Sequence, residues 1–446
     1  MLLIALFVIP CLVMFFYRYP LILLSLFPLV NLMDVFLPSD GVAVSGYWLL
    51  PMDPVYFFTI IHLGVCALLQ PGKMASVLRE NFFLTIFLAI VALYVVLDTP
   101  VYGQSAIGEA RKFYFMFLIP FVASVSIRKA EDLRRFVLIV VFAATCVTVV
   151  ALAGAVQGSI VKFINSKGAL IVTLAAFAML IHRIYRIVII HPIVDRLLVV
   201  LFFIIALGQG HRTVWLAVGF GLVLALCLYR IEPRVVAKLL IVAVVILAGL
   251  ATVVTIFPQA GSTLIEYFAG IRDPYSDATA SWRIEGWQQQ IDRLQKEGRL
   301  LFGEGLGGYY SWLFRGYDTV TTSPHNAYVQ MILKFGLFGL MIYGFLACAF
   351  FSRTLPVRKR LNPAPMRAYV EMGILNFGAA HGYMLGYGFE PIMLIFFAVA
   401  TSAAKLPQEA LRHFQESRLR RSPTDLRIPP RPFRPHRRPE AQSLHS

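Results

Sequence analysis

The chain has 446 residues, of which 59% are hydrophobic and 14% are charged, and its formal net charge is +16. Long apolar runs recur along its whole length, and a soluble protein could not bury so many, whereas each run can cross a bilayer as a helix. Composition therefore excludes a soluble domain and predicts an all-α fold, a polytopic bundle of transmembrane helices over residues 1–404.

Thirteen apolar runs are candidate spans, and we expect 12 or 13 of them to cross the membrane. In chain order they cover residues 2–17, 20–37, 49–69, 82–97, 113–127, 136–156, 168–182, 193–209, 213–229, 235–257, 327–352, 368–383 and 387–404. The first run is short for a hydrocarbon core about 30 Å thick, because a helix rises only about 1.5 Å per residue. Either every run crosses or one early segment lies at the interface, so the side of the N-terminus stays open.

Basic loops indicate how the bundle is oriented. Lys and Arg gather in residues 128–135, 183–196, 230–238 and 353–367, which alternate as cytoplasmic loops should. The loop over residues 258–326 then lies on the outer side of the membrane. Because these charges are not gathered on one soluble domain, they do not predict a nucleic-acid partner.

The outer loop contains an amphipathic helix. Ile284, Trp287, Ile291 and Leu294 recur at helical spacing on one face, and Gly298 ends the helix. We expect this apolar face to lie on the outer membrane boundary or to dock on the bundle.

Other segments carry weaker signals. The sequence FGEGLGG at residues 302–308 has no β-strand before it, which favours tight backbone turns over a phosphate-binding loop. Asp273 and Asp277 lack nearby Glu or His, so they predict no metal site. The basic, Pro-rich tail over residues 405–446 cannot form a core, and we expect it to be disordered and cytoplasmic.

His325 and Asn326 stand where the outer loop re-enters an apolar run. A helix start offers unpaired N–H groups and a positive dipole end, which suit an anionic ligand, and a histidine there exchanges protons near neutral pH. Gly336 and Gly339 lie three residues apart on one helix face and permit close helix approach. The alternative is an interfacial histidine before an ordinary membrane helix.

Two arginines are candidates for the same site. Arg212 lies at the outer end of a span, where orientation gives no reason for it, and a charge in the hydrocarbon costs at least ~2.5 kcal/mol. Arg283 opens the loop helix, and its alternative is an exposed surface charge. A guanidinium binds phosphate oxygens bidentately. One site would require the loop to fold back over the bundle.

The spacing of His325, Asn326, Gly336 and Gly339 resembles the His-[Asn/Ser/Gln]-x9-Gly-x-x-Gly signature of the O-antigen ligase/polymerase family. The resemblance covers roughly residues 160–350 and includes an Arg at the outer end of a middle span and another before a loop Trp. It implies an inverting glycosyltransferase of the bacterial inner membrane, with its active site facing the periplasm and with no cofactor or metal. The donor would be a glycan on polyprenyl diphosphate, and the acceptor a lipid A core, another glycan or a protein. Ligase and polymerase both remain open.

The resemblance also implies roles for residues. His325, Arg212 and Arg283 would be catalytic, and four more residues would bind substrate: Asn326, His211, Arg293 and Arg315. His211 stands where the family often has a small polar residue, so the choice of base between His211 and His325 stays open. Arg299 is as well placed as the other two loop arginines.

Two other functions compete with this one. A lipid-linked oligosaccharide transporter or flippase would be expected to show inverted repeats and broken helices, which are not visible in the sequence. A peptidoglycan-type polymerase would have a similar architecture and lipid donor, but an acidic loop residue would be its expected base.

Overall fold

In the computed structural model the described residues are 2–420, apart from 37–41, 45–46, 157–162, 322, 362–363 and all but scattered positions between 230 and 277. Their helices are α1 (Leu2–Arg18), α2 (Pro20–Phe36), α3 (Asp53–Leu69), α4 (Pro71–Glu80), α5 (Phe82–Tyr102), α6 (Gln104–Phe117), α7 (Ile119–Ser126), α8 (Ala130–Val156), α9 (Ser166–Ile184), α10 (Pro192–Gly208), α11 (Arg212–Tyr229), α12 (Ala278–Lys296), α13 (Ala327–Arg360), α14 (Ala364–Met384) and α15 (Ile392–Arg420). Two antiparallel hairpins pair β1 (Val42–Val44) with β2 (Tyr47–Leu49) and β3 (Tyr310–Phe314) with β4 (Tyr317–Thr321).

The predicted class, an all-α membrane bundle, is confirmed. Within the described residues five helices are long and apolar enough to cross a membrane, namely α5, α8, α9, α11 and α13. A sixth candidate is the pair α1 and α2, which are bent by 103° at Tyr19. Twelve of the predicted runs coincide with described helices, and the run 235–257 lies mostly outside the described part, so the count of 12 or 13 crossings stays a prediction.

Some apolar runs are divided into short helices, which lowers the number of full-length spans. The run 113–127 is split at Leu118 into α6 and α7, with Pro120 in the first turn of α7. Proline has no N–H to donate and clashes with the preceding turn, so it starts a helix more readily than it continues one. Apolar composition alone does not record such breaks.

The centre of the bundle is formed by α9 and α14. In the apolar 18-residue segment of α9, 83% of the residues are buried. Helix α14 packs on α9, α11 and α15. A Cβ added to Gly382 of α14 would lie 2.6 Å from the carbonyl oxygen of Leu216 in α11, and one at Gly373 would lie 2.3 Å from the Cβ of Ala400 in α15. Small residues therefore allow the close backbone approach that drives helix association in lipid.

The expectation for Gly336 is wrong in one respect, because α13 is kinked there. Gly336 has φ +68°, and a Cβ on it would lie 2.1 Å from the carbonyl oxygen of Leu301. Leu337 and Phe338 donate backbone N–H bonds to Leu300 (2.9 Å) and Leu301 (3.1 Å). Only glycine fits this conformation at so close a contact, so Gly336 joins the outer loop to α13.

The predicted loop helix is confirmed as α12, but its buried face is rotated. Leu294 is buried, whereas Ile284, Trp287 and Ile291 are half-buried. The fully buried positions are one helical face that includes Gly286 and Gln290.

This face packs on the hairpin of β3 and β4. A Cβ on Gly286 would lie 2.5 Å from the Trp312 ring, and Gln290 donates to the carbonyl of Ser311. Leu294, Tyr310 and Trp312 form a small core with Val329 and Leu333 at the start of α13. On this face Gln290 satisfies the backbone carbonyl of Ser311 in β3. The loop thus folds back onto the bundle.

Helix α15 continues through Lys405, the first residue of the predicted tail, to Arg420. Pro407 lies inside this helix, but residues 408–420 contain good helix formers such as Leu, Glu, Gln and Arg, which favour its continuation. The Pro-rich remainder, 421–446, lies outside the described residues.

Candidate active site

His325 and Asn326 lie immediately before α13. His325 has φ +52°, and its backbone N–H donates to Ser323 Oγ at 3.3 Å. Asn326 is the N-cap, since its Oδ1 accepts from the backbone N–H of Tyr328 (2.9 Å) and Val329 (3.1 Å). The helix start is therefore capped by the chain itself, so the expected supply of unpaired N–H groups is reduced. The positive dipole end remains.

His325 and Asn326 both contact the turn Leu385–Glu390, which lies between α14 and α15. Asn326 Nδ2 donates to the carbonyl of Leu385 at 3.0 Å. The ring of His325 lies 5.8 Å from that of Tyr387 and 5.9 Å from that of Trp282, between centroids. His325 is thus half-buried between α12 of the outer loop and the turn Leu385–Glu390 of the bundle.

Arg283 reaches the same turn from α12. Its Nη1 donates to the carbonyl of Gly386 at 3.2 Å. Burial lowers the pKa of His325, and the nearby charge of Arg283 lowers that pKa further. A lowered pKa keeps the imidazole neutral at neutral pH, which is the form that accepts a proton.

Arg212 begins α11, and α11 also meets the turn. A Cβ added to Gly386 would lie 2.6 Å from Cγ2 of Thr213, the residue after Arg212. Gly386 is therefore in contact with α11 on one side and with Arg283 on the other. We call Arg283, His325, Asn326 and the turn Leu385–Glu390, together with the start of α11, the turn cluster.

His211, by contrast, is held at the segment before α9. Its Nε2 lies 2.8 Å from the carbonyl oxygen of Ile164, and the side chain of neighbouring Gln209 accepts from the backbone N–H of Ile164 at 3.0 Å. The contact with a carbonyl requires a proton on Nε2. That nitrogen is therefore a donor in this arrangement.

The remaining predicted arginines lie in other surroundings. Arg293 forms an ion pair with Glu304 and donates to Gln290 Oε1 at 2.8 Å. Arg315 is exposed in the turn of the β3–β4 hairpin, with its guanidinium 5.1 Å from the centre of the Phe314 ring. The described contacts of these two arginines are not with the turn cluster.

A buried lysine that the sequence reasoning missed supports the glycine-rich segment. Lys334 is 1% exposed, pairs with Glu109 at 2.7 Å and donates to the carbonyl of Gly308 at 3.1 Å. It also lies 4.5 Å from the centre of the buried Tyr310 ring. We call Glu109, Arg293, Glu304 and Lys334 the lysine cluster. A charge inside an apolar run is costly, and that was the available signal.

Residues 302–308 form tight turns, as predicted. Gly303, Gly305 and Gly307 all have positive φ. The N–H of Leu306 donates to Asp98 (2.7 Å) and that of Gly307 to Glu109 (2.6 Å). Carboxylates of the chain thus occupy N–H groups that a phosphate would need.

Metal ligation was not predicted, and among the described residues no group of three or more His, Cys, Asp or Glu side chains has the arrangement to hold a metal ion. Asp273 is exposed, and its possible partner Asp277 lies outside the described part of the chain.

A family model described as O-antigen ligase matches residues 197–344, which include Arg212, Arg283, His325 and the kink at Gly336. The turn Leu385–Glu390 lies beyond the matched region. No curated protein matches the chain. The apolar helices and this match together indicate a multi-pass membrane protein. This match over residues 197–344 supports the resemblance to the O-antigen ligase family.

Proposed function

We propose that this protein is a membrane glycosyltransferase that moves a glycan from a polyprenyl diphosphate to an acceptor hydroxyl at the outer face of the inner membrane. The observation that carries the proposal is the meeting of three separate parts of the chain at one turn. Arg283 donates to Gly386, His325 packs against Tyr387, and Gly386 contacts the residue after Arg212. These contacts support a site in which the guanidinium groups of Arg283 and Arg212 act together with the imidazole of His325.

The chemistry needs those groups. The acceptor oxygen forms a bond to the anomeric carbon while the bond from that carbon to the diphosphate oxygen breaks, with inversion at the carbon. The acceptor proton passes to a neutral imidazole, and the electron pair leaves with the diphosphate. Arg283 and Arg212 stabilise the negative charge that develops on the leaving group.

Within this proposal His325 is the base and His211 has a positioning role. The lowered pKa of His325 keeps it able to accept a proton, while the Nε2 of His211 is committed to the carbonyl of Ile164. Asn326 would fix the start of α13 and the turn against each other, since it bonds to both. Arg293 and Arg315 would bind substrate only if it extends beyond the turn cluster.

A reconstituted assay tests the proposal. Purified protein in liposomes would be given a labelled glycan on polyprenyl diphosphate together with an acceptor, either lipid A core or a second lipid-linked repeat. We expect acceptor-dependent release of the polyprenyl diphosphate. Movement of the intact lipid-linked glycan across the bilayer without bond cleavage would contradict the proposal and favour a flippase.

Deletion of the gene separates the two forms of the activity. Unlinked polymer accumulating on the carrier would indicate a ligase, and single repeat units would indicate a polymerase. An unchanged set of surface glycans, with intact transfer in the deletion strain, would count against both.

A further inference from the structure

One cavity in the described part of the chain lies away from the turn cluster. It has a volume of about 640 Å³ and is formed by the junction of α4 and α5 with the later parts of α13 and α15. Its residues on α13 begin at Leu346 and end at Val357. Arg353 lies 17 residues after the kink at Gly336, roughly 25 Å of helical rise, so the cavity lies toward the other end of that part of α13.

The floor of this cavity is apolar and aromatic. Phe83, Leu346, Phe350 and Phe397 line it together with Phe82, whose side chain is 53% exposed. Phe82 is the first residue of α5, a helix long and apolar enough to cross a membrane, so its exposed ring adds apolar surface to this cavity. The floor therefore suits an acyl chain that enters from the bilayer.

The rim carries the opposite character. Among the lining residues the cations are Arg79, Arg353 and Lys405, and the only carboxylate is that of Glu80. Glu80 forms an ion pair with Lys405, and its backbone carbonyl accepts from Arg353 Nη1 at 2.5 Å. Lysine and the carboxylate compensate each other, so the rim keeps an excess of positive charge from the two arginines.

We propose that this cavity binds an anionic phospholipid of the leaflet at the basic face of the bundle. The phosphate would lie between Arg79 and Arg353, and an acyl chain would lie on the aromatic floor. Basic pockets between membrane helices at this depth recognise lipid head groups in this way. The Arg-rich tail of the chain is a poor occupant, because it has the same charge as the rim. The proposal does not depend on the glycosyl-transfer proposal.

Native mass spectrometry of the full chain tests this site. Protein in detergent would be mixed with phosphatidylglycerol or with phosphatidylcholine of the same acyl chains, and the fraction retaining lipid would be measured. We expect preferential retention of phosphatidylglycerol. The double variant Arg79→Gln/Arg353→Gln should lose that preference by about tenfold or more, since each cation near a lipid surface contributes severalfold. The matched control is Arg134→Gln/Arg135→Gln, two exposed charges on α8 outside the cavity.

A second variant tests the acyl part. Ala349→Trp would fill the floor without changing the charge, and we expect it to reduce retention as strongly as the double arginine variant. Glycerol 3-phosphate in excess should not displace the lipid, and displacement would show a phosphate-only site and overturn the lipid assignment. Equal retention of both lipids, or full retention by the Ala349→Trp protein, would also overturn it. Both arginines are exposed, so their replacement is expected to leave the fold intact.

Discussion

The turn cluster and the lysine cluster use similar residue types on the same side of the molecule in different ways. In the lysine cluster each cation faces a carboxylate, Lys334 with Glu109 and Arg293 with Glu304. In the turn cluster Arg283 donates to a backbone carbonyl and lowers the pKa of His325. Charges that pair with each other fix a loop in place, whereas a cation beside a neutral base leaves a site able to act on an anionic substrate.

The strongest test of this contrast is the histidine. We expect His325→Ala to reduce glycosyl transfer by roughly 100- to 10,000-fold, the range that one acid–base group contributes. The thermal unfolding midpoint in detergent should change little, because the side chain is only half-buried. The companion variant His211→Ala should keep most activity. The reverse result, an active His325→Ala and an inactive His211→Ala, would assign the base to His211.

Substitutions in the lysine cluster should lower the free energy of unfolding. Lys334→Met leaves Glu109 buried without its cation, which we expect to cost about 3–5 kcal/mol of the free energy of unfolding. The double variant Lys334→Met/Glu109→Met removes both charges and should recover much of that loss. Unfolding in detergent, followed by circular dichroism, measures both. A single variant as stable as the parent would mean that the pair does not hold the loop.

Substitution of Arg283 or Arg212 should have a smaller effect, on the binding of the donor. We expect Arg283→Lys and Arg212→Lys to weaken binding of the diphosphate donor by about tenfold, because an ammonium cannot reproduce a bidentate fork. The matched control is Arg299→Lys, an exposed loop residue 3.8 Å from Glu297. Donor affinity is read from transfer rates at varied donor concentration. Unchanged affinity in both variants would remove these residues from diphosphate binding.

The pH dependence tests whether Arg283 acts on His325. The base must be neutral, so activity falls as pH drops through its pKa. Since burial and then Arg283 lower that pKa below 6.5, the acid limb of the rate profile should lie below pH 6.5. Arg283→Gln removes one of the two causes and should move the limb upward, whereas Arg283→Lys keeps the charge and should leave it in place. The measurement is the rate of transfer between about pH 4 and pH 8, a range that includes the usual pKa of histidine. If Arg283→Gln leaves the acid limb of the rate profile in place, Arg283 does not control the pKa of His325.

The smallest effect is expected from chelation. Arginine side chains neutralise the diphosphate in this mechanism, so excess EDTA should leave transfer unchanged. Loss of activity that Mg²⁺ or Mn²⁺ restores would favour a metal-dependent transferase instead. The assay is the liposome transfer reaction with and without chelator.

The sequence by itself determined the class of fold, and it predicted the candidate site residues. Apolar runs must become helices in lipid, since no water is present to satisfy backbone groups, and His325 and Asn326 are marked by the local change from polar loop to apolar run. The loop helix was also predictable from its period, although its buried face was not. That face depends on Trp312 and Ser311, which come later in the chain and share no pattern with it.

Tertiary structure alone decided what these residues meet. The turn Leu385–Glu390 is some 60 residues beyond His325, carries no pattern of its own, and joins the turn cluster only because α14 packs on α11. The partners of Arg293 and Lys334 could not be predicted either, because the sequence does not show which carboxylate a given cation will contact. Periodicity is a local property of the chain, whereas charge pairing and cluster membership depend on which distant segments pack together.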